Sequence, residues 1–426
     1  MLFKIKKILF ANAFGKNILI LFIGTLISQI ISFFAAPLLT HYYGADSFGT
    51  FELINKYLAF LVLLCTFRYE FAILLPKEDS NAQLLFNMIF FLTAIASLFI
   101  FILICFSNIA WVDKYFHLGS ESLLLLIPAY LFLYAFNQVL TSWLNRMRNY
   151  VNQSIAKVAQ SFFLIAFSVW FGYLGYGAMG LLLGTIIGTG ISVIIISFKV
   201  YSVMDMFSAF KNWKETKSIA LRYSDFPTVN MIHALTDSLQ AIAFILLMTH
   251  YFDKTYVGYY AFGLRLVQTP LSLMSKSISQ VYFQKAAQLH HNDTNLLIVS
   301  TNRMIRFICL LGIPLALFAM LVVPLAFKYF LGNEWHVAGK YIQILIPFLF
   351  LNFISAIISQ LTLVKSQQKS HFLLSLINNS IYIVVIIIGG LYLKDFEKTV
   401  YLLSISLCVY FVFEIRWMLS LLKHTN

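Results

Sequence analysis

Apolar residues run through this chain in long blocks, each closed by a short cluster of polar or charged residues. Twelve blocks stand near residues 17–42, 47–75, 82–107, 121–145, 153–174, 177–199, 222–251, 255–283, 303–330, 340–364, 370–393 and 399–421. A helix of about 20 residues crosses the hydrocarbon core of a bilayer, so each block predicts one membrane span. The first block follows Lys4, Lys6 and Lys7, as in a secretory signal, but no small-residue cleavage site comes after it. It is expected to remain as a helix. The pattern predicts an all-α polytopic membrane protein of twelve or so transmembrane helices.

Composition agrees. The chain is 60% hydrophobic and 11% charged over 426 residues, where soluble domains carry about 25% charged residues. The formal net charge of +13 raises the question of nucleic acid, but Lys and Arg crowd alternate connections. One set holds Lys4, Lys6, Lys7, Lys16, Arg146, Arg148, Lys157, Lys199, Lys211, Lys214, Lys217, Lys285, Arg303, Lys365 and Lys369. The other has only Lys114, Lys254, Lys328, Lys340, Lys394 and Lys398. By the positive-inside rule both termini are cytoplasmic, and the charge needs no nucleic-acid partner. Cys65, Cys105, Cys309 and Cys408 lie inside apolar blocks, without metal spacing or a disulfide pattern, and read as small buried side chains.

The chain repeats itself. THYYGADSFGTF at 40–51 returns as THYFDKTYVGYY at 249–260, a constant shift of 209. Leu126-Ile127-Pro128 returns as Leu345-Ile346-Pro347 at a shift of 219. Each is followed by a basic connection, Asn145-Arg146-Met147-Arg148 and then Lys365-Ser366-Gln367-Gln368-Lys369. Six helices per half leave both halves the same way up, so the expectation is two parallel six-helix repeats around a central cavity. The longest connection, 200–221, marks the boundary and gives an N-terminal bundle over 1–205 and a C-terminal bundle over 206–426. No phosphate-binding loop, metalloprotease helix or nucleophile elbow occurs, and neither enzymatic activity nor a cofactor nor a metal is expected.

An ionisable group deep in a span costs about 2.5–3.5 kcal/mol on insertion scales, so each such residue asks for a reason. Lys56 and Arg265 are related by the shift of 209 and follow the shared turn on the second and eighth spans. They are expected to face each other across the axis between the halves. Arg265, Gln268, Ser272, Lys276 and Ser279 fall on one side of the eighth span, a polar stripe suited to a water-filled cavity. Lys56 has a plainer reading, in which it snorkels or pairs with Glu52 one turn earlier. Arg68 and Glu70 close the second span and Arg222 and Asp225 open the seventh; each pair reads as a gate or as an interfacial ion pair. Asp237 lies mid-span, with Ser28 as its repeat partner. It reads as a site where Na+ or H+ drives transport, or as a static counter-ion for Lys276 or Arg265. His41 and His250 read as interface anchors, and Gly180, Gly184 and Gly188 as small-residue helix packing.

Cations lining a cavity suit an anionic cargo, since one close charge pair is worth about 4 kcal/mol at an effective dielectric of 20. Surrounding Tyr, Asn, Gln, Ser and Thr suit sugar hydroxyls. The segment Arg68-Tyr69-Glu70-Phe71-Ala72-Ile73-Leu74-Leu75-Pro76-Lys77 and the turn Tyr42-Tyr43-Gly44-Ala45-Asp46-Ser47-Phe48-Gly49 resemble the polysaccharide transporter family of the multidrug/oligosaccharidyl-lipid/polysaccharide exporter superfamily. So do Gly258-Tyr259-Tyr260-Ala261-Phe262-Gly263-Leu264-Arg265 with Pro270, and Leu331-Gly332-Asn333-Glu334-Trp335 with Ala338-Gly339. The resemblance spans nearly the whole chain. It implies a Wzx-type flippase that moves polyprenyl-diphosphate-linked oligosaccharide units to the outer leaflet of a bacterial plasma (inner) membrane. Such units feed O-antigen, capsule or exopolysaccharide synthesis. The family works by alternating access of two bundles with a cation-lined cavity, and Lys56, Arg265 and Lys276 fit that pattern by position. Na+ or H+ is the candidate coupling ion, and a polysaccharide polymerase a candidate partner.

Two alternatives stand beside this. A drug exporter of the same superfamily would carry organic cations and call for an acidic cavity. A membrane-embedded glycosyltransferase or polymerase would call for a large outer loop, and the outer connection 108–120 offers only Asp113, Lys114 and His117.

Overall fold

Inside a bilayer no water is present to satisfy the backbone, so long apolar segments fold as helices that bond internally. The computed structural model describes residues 13–107, 121–201, 212–292, 294–365 and 367–422. Lys4, Lys6, Lys7, Asp113, Lys114, His117 and Lys211 lie outside these. In chain order the helices are α1 (Ala13–Tyr42), α2 (Ala45–Thr66), α3 (Asp79–Phe106), α4 (Glu121–Arg146), α5 (Tyr150–Tyr173), α6 (Ala178–Val200) and the short α7 (Trp213–Arg222). Then come α8 (Met231–Tyr251), α9 (Lys254–Asn292), α10 (Thr294–Leu331), α11 (His336–Ile358), the short α12 (Gln360–Val364), α13 (Gln368–Ile388) and α14 (Phe396–Ser420). Apart from α7 and α12 they answer the twelve apolar blocks one for one.

Among the described residues ten helices are long and apolar enough to cross a membrane. The remaining long helices, α8 and α9, are interrupted by Asp237 and by Arg265, Gln268 and Lys276. Large apolar side chains stand open, among them Phe106 at 88%, Leu310 at 72% and Leu321 at 71% exposure. Water would penalise such a surface; acyl chains would not. The chain is an all-α, multi-pass membrane protein. That lipid-facing surface also carries Cys105, which is exposed, so of the cysteines only Cys65 meets the expectation of full burial.

The sequence repeat is a repeat of structure. α1 ends at Tyr42 and α2 begins at Ala45; α8 ends at Tyr251 and α9 begins at Lys254, each boundary shifted by the same 209 positions. His41 stacks edge-on against Tyr42 at 4.9 Å, and His250 against Tyr251 at 5.0 Å. Both tyrosines press on a glycine at the end of a later helix, Gly172 in the last turn of α5 and Gly390 just beyond α13. A Cβ at Gly172 would overlap Tyr42 and Tyr43, and one at Gly390 would overlap the Tyr251 ring. The two matching prolines both lie inside helices, Pro128 in α4 and Pro347 in α11, and in each helix a serine from a different neighbour reaches a nearby carbonyl. Ser97 Oγ of α3 donates to the Pro128 carbonyl in α4, and Ser404 Oγ of α14 donates to the Ile344 carbonyl beside Pro347 in α11, both at 2.6 Å. The turn is written twice because each half uses it to seat one aromatic pair in one glycine notch.

Two helices fall furthest short of their apolar blocks. The second was expected to run to residue 75, but α2 stops at Thr66. Phe67 and Arg68 then adopt left-handed backbone (φ 50° and 63°), and Tyr69–Leu74 coils as a 3-10 turn. The seventh was expected from 222, but Arg222 closes α7, and a π-helical turn, Phe226–Asn230, leads into α8.

The chain divides into two compact units, Met1–Ile242 and Ala243–Asn426, so the division falls inside α8, later than the boundary expected at 205. The linker is held by the first unit: Ile219, Ala220 and Tyr223 pack on a core formed by Tyr69, Ala72, Ile73, Phe86, Trp143 and Leu144. In that unit α6 lies so close to α5 that a Cβ at Gly184 or Gly188 would overlap Ser168 or Leu164, as small-residue packing requires. The second unit has its own core around Tyr282, Ile357, Leu361 and Met418.

Candidate functional site

Lys56 rises from α2 and its Nζ lies 3.0 Å from Glu52 Oε1, one turn back. The plainer of its two readings is thus realised in the geometry: the cation has a partner, with the lysine and glutamate side chains 35% and 20% exposed. Its neighbour Asn55 accepts from the Tyr130 hydroxyl at 3.1 Å, which fixes this stretch of α2 against α4.

At the far end of α2, two consecutive non-glycine residues in left-handed backbone cost about 1–2 kcal/mol each. The elbow is held from several sides. The Arg68 amide donates to Thr66 Oγ1 at 3.3 Å, and the Arg68 guanidinium sits 4.8 Å from the Phe71 ring centre. Glu70 is 3% exposed. Its Oε2 and Arg68 Nε are buried without a hydrogen-bond partner, and among the described residues no contact ion pair joins the two. Burial raises the Glu70 carboxyl above its ordinary value of 4.5, against the opposing pull of its own amide, Thr66 and Arg68. The fold therefore favours the protonated form, so this contribution to stability is complete below the unfolded value and is lost as pH rises through the folded one. Glu70→Gln is expected to retain it at neutral pH. The melting-temperature advantage of Glu70→Gln over the parent should grow as pH is raised from 4.5; an advantage that does not change with pH would contradict the assignment.

Arg146, which the sequence suggests only as part of a basic connection, organises this region. Its Nε and Nη2 donate to Asp79 Oδ1 at 3.0 and 2.7 Å. Its Nη1 donates to the carbonyls of Ile73 and Pro76 at 3.1 and 2.8 Å. One guanidinium from the end of α4 thereby ties the 3-10 turn to the start of α3. Arg222 and Asp225 are both exposed and make no ion pair among the described residues. Asp237 lies near the middle of α8 with an exposed side chain, and its repeat partner Ser28 is buried, donating to the Gly24 carbonyl at 2.9 Å.

In the second unit, α9 leaves Arg265, Gln268 and Lys276 exposed on the expected stripe, with Ser272 half-buried. Ser279 departs from it: at 6% exposure it turns inward, on the side of α9 where Tyr282 and Ala286 enter the unit's core. The hydroxyls around Pro270 are satisfied locally. Thr269 Oγ1 donates to the Arg265 carbonyl at 2.5 Å, Ser272 Oγ to Thr269 at 2.8 Å, and Ser277 Oγ to Leu273 at 2.9 Å. Such back-bonding lets a helix carry a proline and hydroxyls without bulk water. The guanidinium of Arg265 and the ammonium of Lys276 are left over: neither makes an ion pair among the described residues. They stand eleven positions apart, about 16 Å along a helix.

A polar cluster that sequence reasoning missed lies in α14. Glu414 is 5% exposed; it accepts from Ser355 Oγ of α11 at 2.6 Å and from the Tyr410 hydroxyl at 3.1 Å. His371 Nε2 of α13 lies 3.5 Å from the same carboxylate and stacks on Trp417. The carboxylate joins three helices. Glu414→Leu is expected to lower the stability of the purified protein by about 1–3 kcal/mol, because the buried Ser355 hydroxyl loses its acceptor, while the Tyr410 hydroxyl keeps the Leu374 carbonyl at 3.0 Å. His371→Gln should cost less, since His371 is half-buried and its contact is long. A melting curve unchanged in Glu414→Leu would contradict this.

Residues 44–340 match a family model described as polysaccharide biosynthesis protein. No curated protein matches the chain. Among solved structures, the lipid II flippase MurJ in an inward closed conformation aligns at a TM-score of 0.72 and 15% identity, covering 93% of this chain and 87% of that one. An inward-facing multidrug resistance MATE family transporter of the MOP superfamily aligns at 0.67 and 15% identity, covering 95% and 96%. A MOP superfamily transporter from Pyrococcus furiosus, whose reversed binding-pocket polarity suggested a different function, aligns at 0.57 and 16% identity, covering 96% and 97%. At these identities the likeness is one of fold.

Proposed function

Because this chain belongs to the polysaccharide biosynthesis protein family and has the fold of MOP-superfamily transporters, we propose that it flips a polyprenyl-diphosphate-linked oligosaccharide across the plasma membrane of a bacterium. The observation that carries the reading is the exposed cationic face of α9, where Arg265 and Lys276 make no ion pair among the described residues. A diphosphate brings matching charge to that face, while its polyprenyl chain stays in lipid and its sugars meet Gln268 and Ser272. Lys56 of the first unit adds a further cation, partly neutralised by Glu52. The 67–70 elbow serves as a gate, with Arg222 and Asp225 following it in the linker. Asp237 takes up the Na+ or H+ that couples transport. Both termini are cytoplasmic, and the delivered units serve surface polysaccharide synthesis, including O-antigen, with a polymerase downstream. An exporter of cationic amphiphiles shares the fold, but cationic side chains on α9 repel such a cargo.

The test is a transport assay. The purified protein is placed in liposomes carrying a polyprenyl-diphosphate-linked sugar in one leaflet, and sugar reaching the other leaflet is labelled. Protein-dependent movement that rises with a Na+ or proton gradient is expected, with Asp237→Asn losing the gradient dependence. Movement no faster than in empty liposomes would overturn the function, and undiminished gradient dependence in Asp237→Asn would remove that residue from coupling.

A further inference from the structure

The linker helix α7 is only ten residues long, and so short a helix is marginal in water unless something holds it. One side is held by protein. Thr216 is fully buried, Ile219 and Ala220 pack into the first unit's core, and the Tyr69 hydroxyl donates to the Ala220 carbonyl at 3.0 Å.

The rest of the helix faces outward with an uncommon mixture. Trp213, Lys217 and Leu221 follow one another at intervals of four, with Lys214 beside them, so all lie on one patch. Trp213 is 57% and Leu221 63% exposed, and both lysines are exposed. Arg222 gives the helix three cations against the one carboxylate of Glu215. In water, exposed Trp and Leu would be a penalty and clustered lysines a repulsion. At a membrane surface the same set is favourable: Trp and Leu enter the boundary of headgroups and acyl chains while lysines meet phosphates.

We infer that α7 is a binding surface for anionic phospholipid headgroups, and that its occupancy is transmitted through Tyr69 to the turn Tyr69–Leu74. The transmission is structural. The Tyr69 hydroxyl joins α7 to the first residue of the turn, and Arg146 pins the other end of that turn at Ile73 and Pro76. Fixing α7 on a charged leaflet therefore steadies the segment that keeps Glu70 buried. Charge complementarity selects an anionic leaflet over a neutral one, since each basic residue near such a surface strengthens binding about fivefold.

The experiment uses the full-length protein in nanodiscs of phosphatidylcholine, alone or doped with phosphatidylglycerol, with hydrogen exchange followed in 213–222 and 69–74. In the parent, phosphatidylglycerol should slow exchange in both segments by about tenfold or more. Lys214→Gln with Lys217→Gln should abolish the response in both, with an unchanged melting curve in phosphatidylcholine. Tyr69→Phe should keep the response in 213–222 and lose it in 69–74. Equal exchange in the two lipids, or a full response in the double variant, would overturn the lipid surface. A response in 69–74 that survives Tyr69→Phe would overturn the transmission.

Discussion

Arg265→Ala is expected to abolish surface polysaccharide in a deletion strain carrying the variant, with membrane abundance of the protein unchanged. The tolerance of the fold follows from the geometry, and the loss of polymer from the proposed role of the residue. The side chain is exposed and forms no ion pair among the described residues, so removing it breaks no ion pair among them and the fold should tolerate it. If it meets a diphosphate away from bulk water, removing it strips one partner from a hydrogen-bonded charge pair. Such truncations cost about 2 kcal/mol or more, which is about a thirtyfold loss in cargo affinity. Arg265→Lys should fall between, because an ammonium keeps the charge but not the planar fork that matches a phosphate. Surface polymer at parental levels in Arg265→Ala would take the residue out of the mechanism.

Arg146→Ala is expected to fail for the opposite reason, through folding. Its guanidinium satisfies Asp79 and two carbonyls at once, and its side chain is 12% exposed. Truncation leaves the Ile73 and Pro76 carbonyls without this donor and frees a turn that directly follows two left-handed residues. A loss of about 3 kcal/mol or more is expected, seen as low membrane abundance and a lowered melting temperature. Arg146→Lys should rescue little, since one ammonium does not span the same three acceptors. Normal abundance and melting of Arg146→Ala would show that the turn is held by other means.

Much of the architecture is legible in the residue pattern, because in lipid the backbone has few alternatives and apolar length alone marks a helix. The paired turns at Tyr42 and Tyr251 are legible too, since the aromatic pair and its offset survive in both halves. The end of the second span is not. Residues 67–75 are as apolar as the helix before them, and the left-handed turn at Phe67 and Arg68 carries no glycine to announce it. Ser279 fails for a related reason. An ideal wheel assumes a straight helix with one buried side, whereas α9 passes Pro270 and meets different neighbours above and below it.

Glu414 obeys the rule that singled out Asp237, a carboxylate inside an apolar block, and that rule alone could have found it. Its partners could not be found this way. Ser355 is 59 positions away, and a lone Ser or His in a helix reads as neutral until folding brings it alongside. Arg146 is similar: a charge at a helix end looks like a topology signal until four of its hydrogen bonds are counted out in space.

Binding of a water-soluble, short-chain polyprenyl diphosphate sugar to the purified protein, followed by calorimetry, tests the central claim most directly. Saturable binding should appear, be competed by inorganic pyrophosphate, and weaken about thirtyfold in Arg265→Ala. Binding of a cationic amphiphile in its place, or diphosphate binding untouched by Arg265→Ala and Lys276→Ala together, would contradict it.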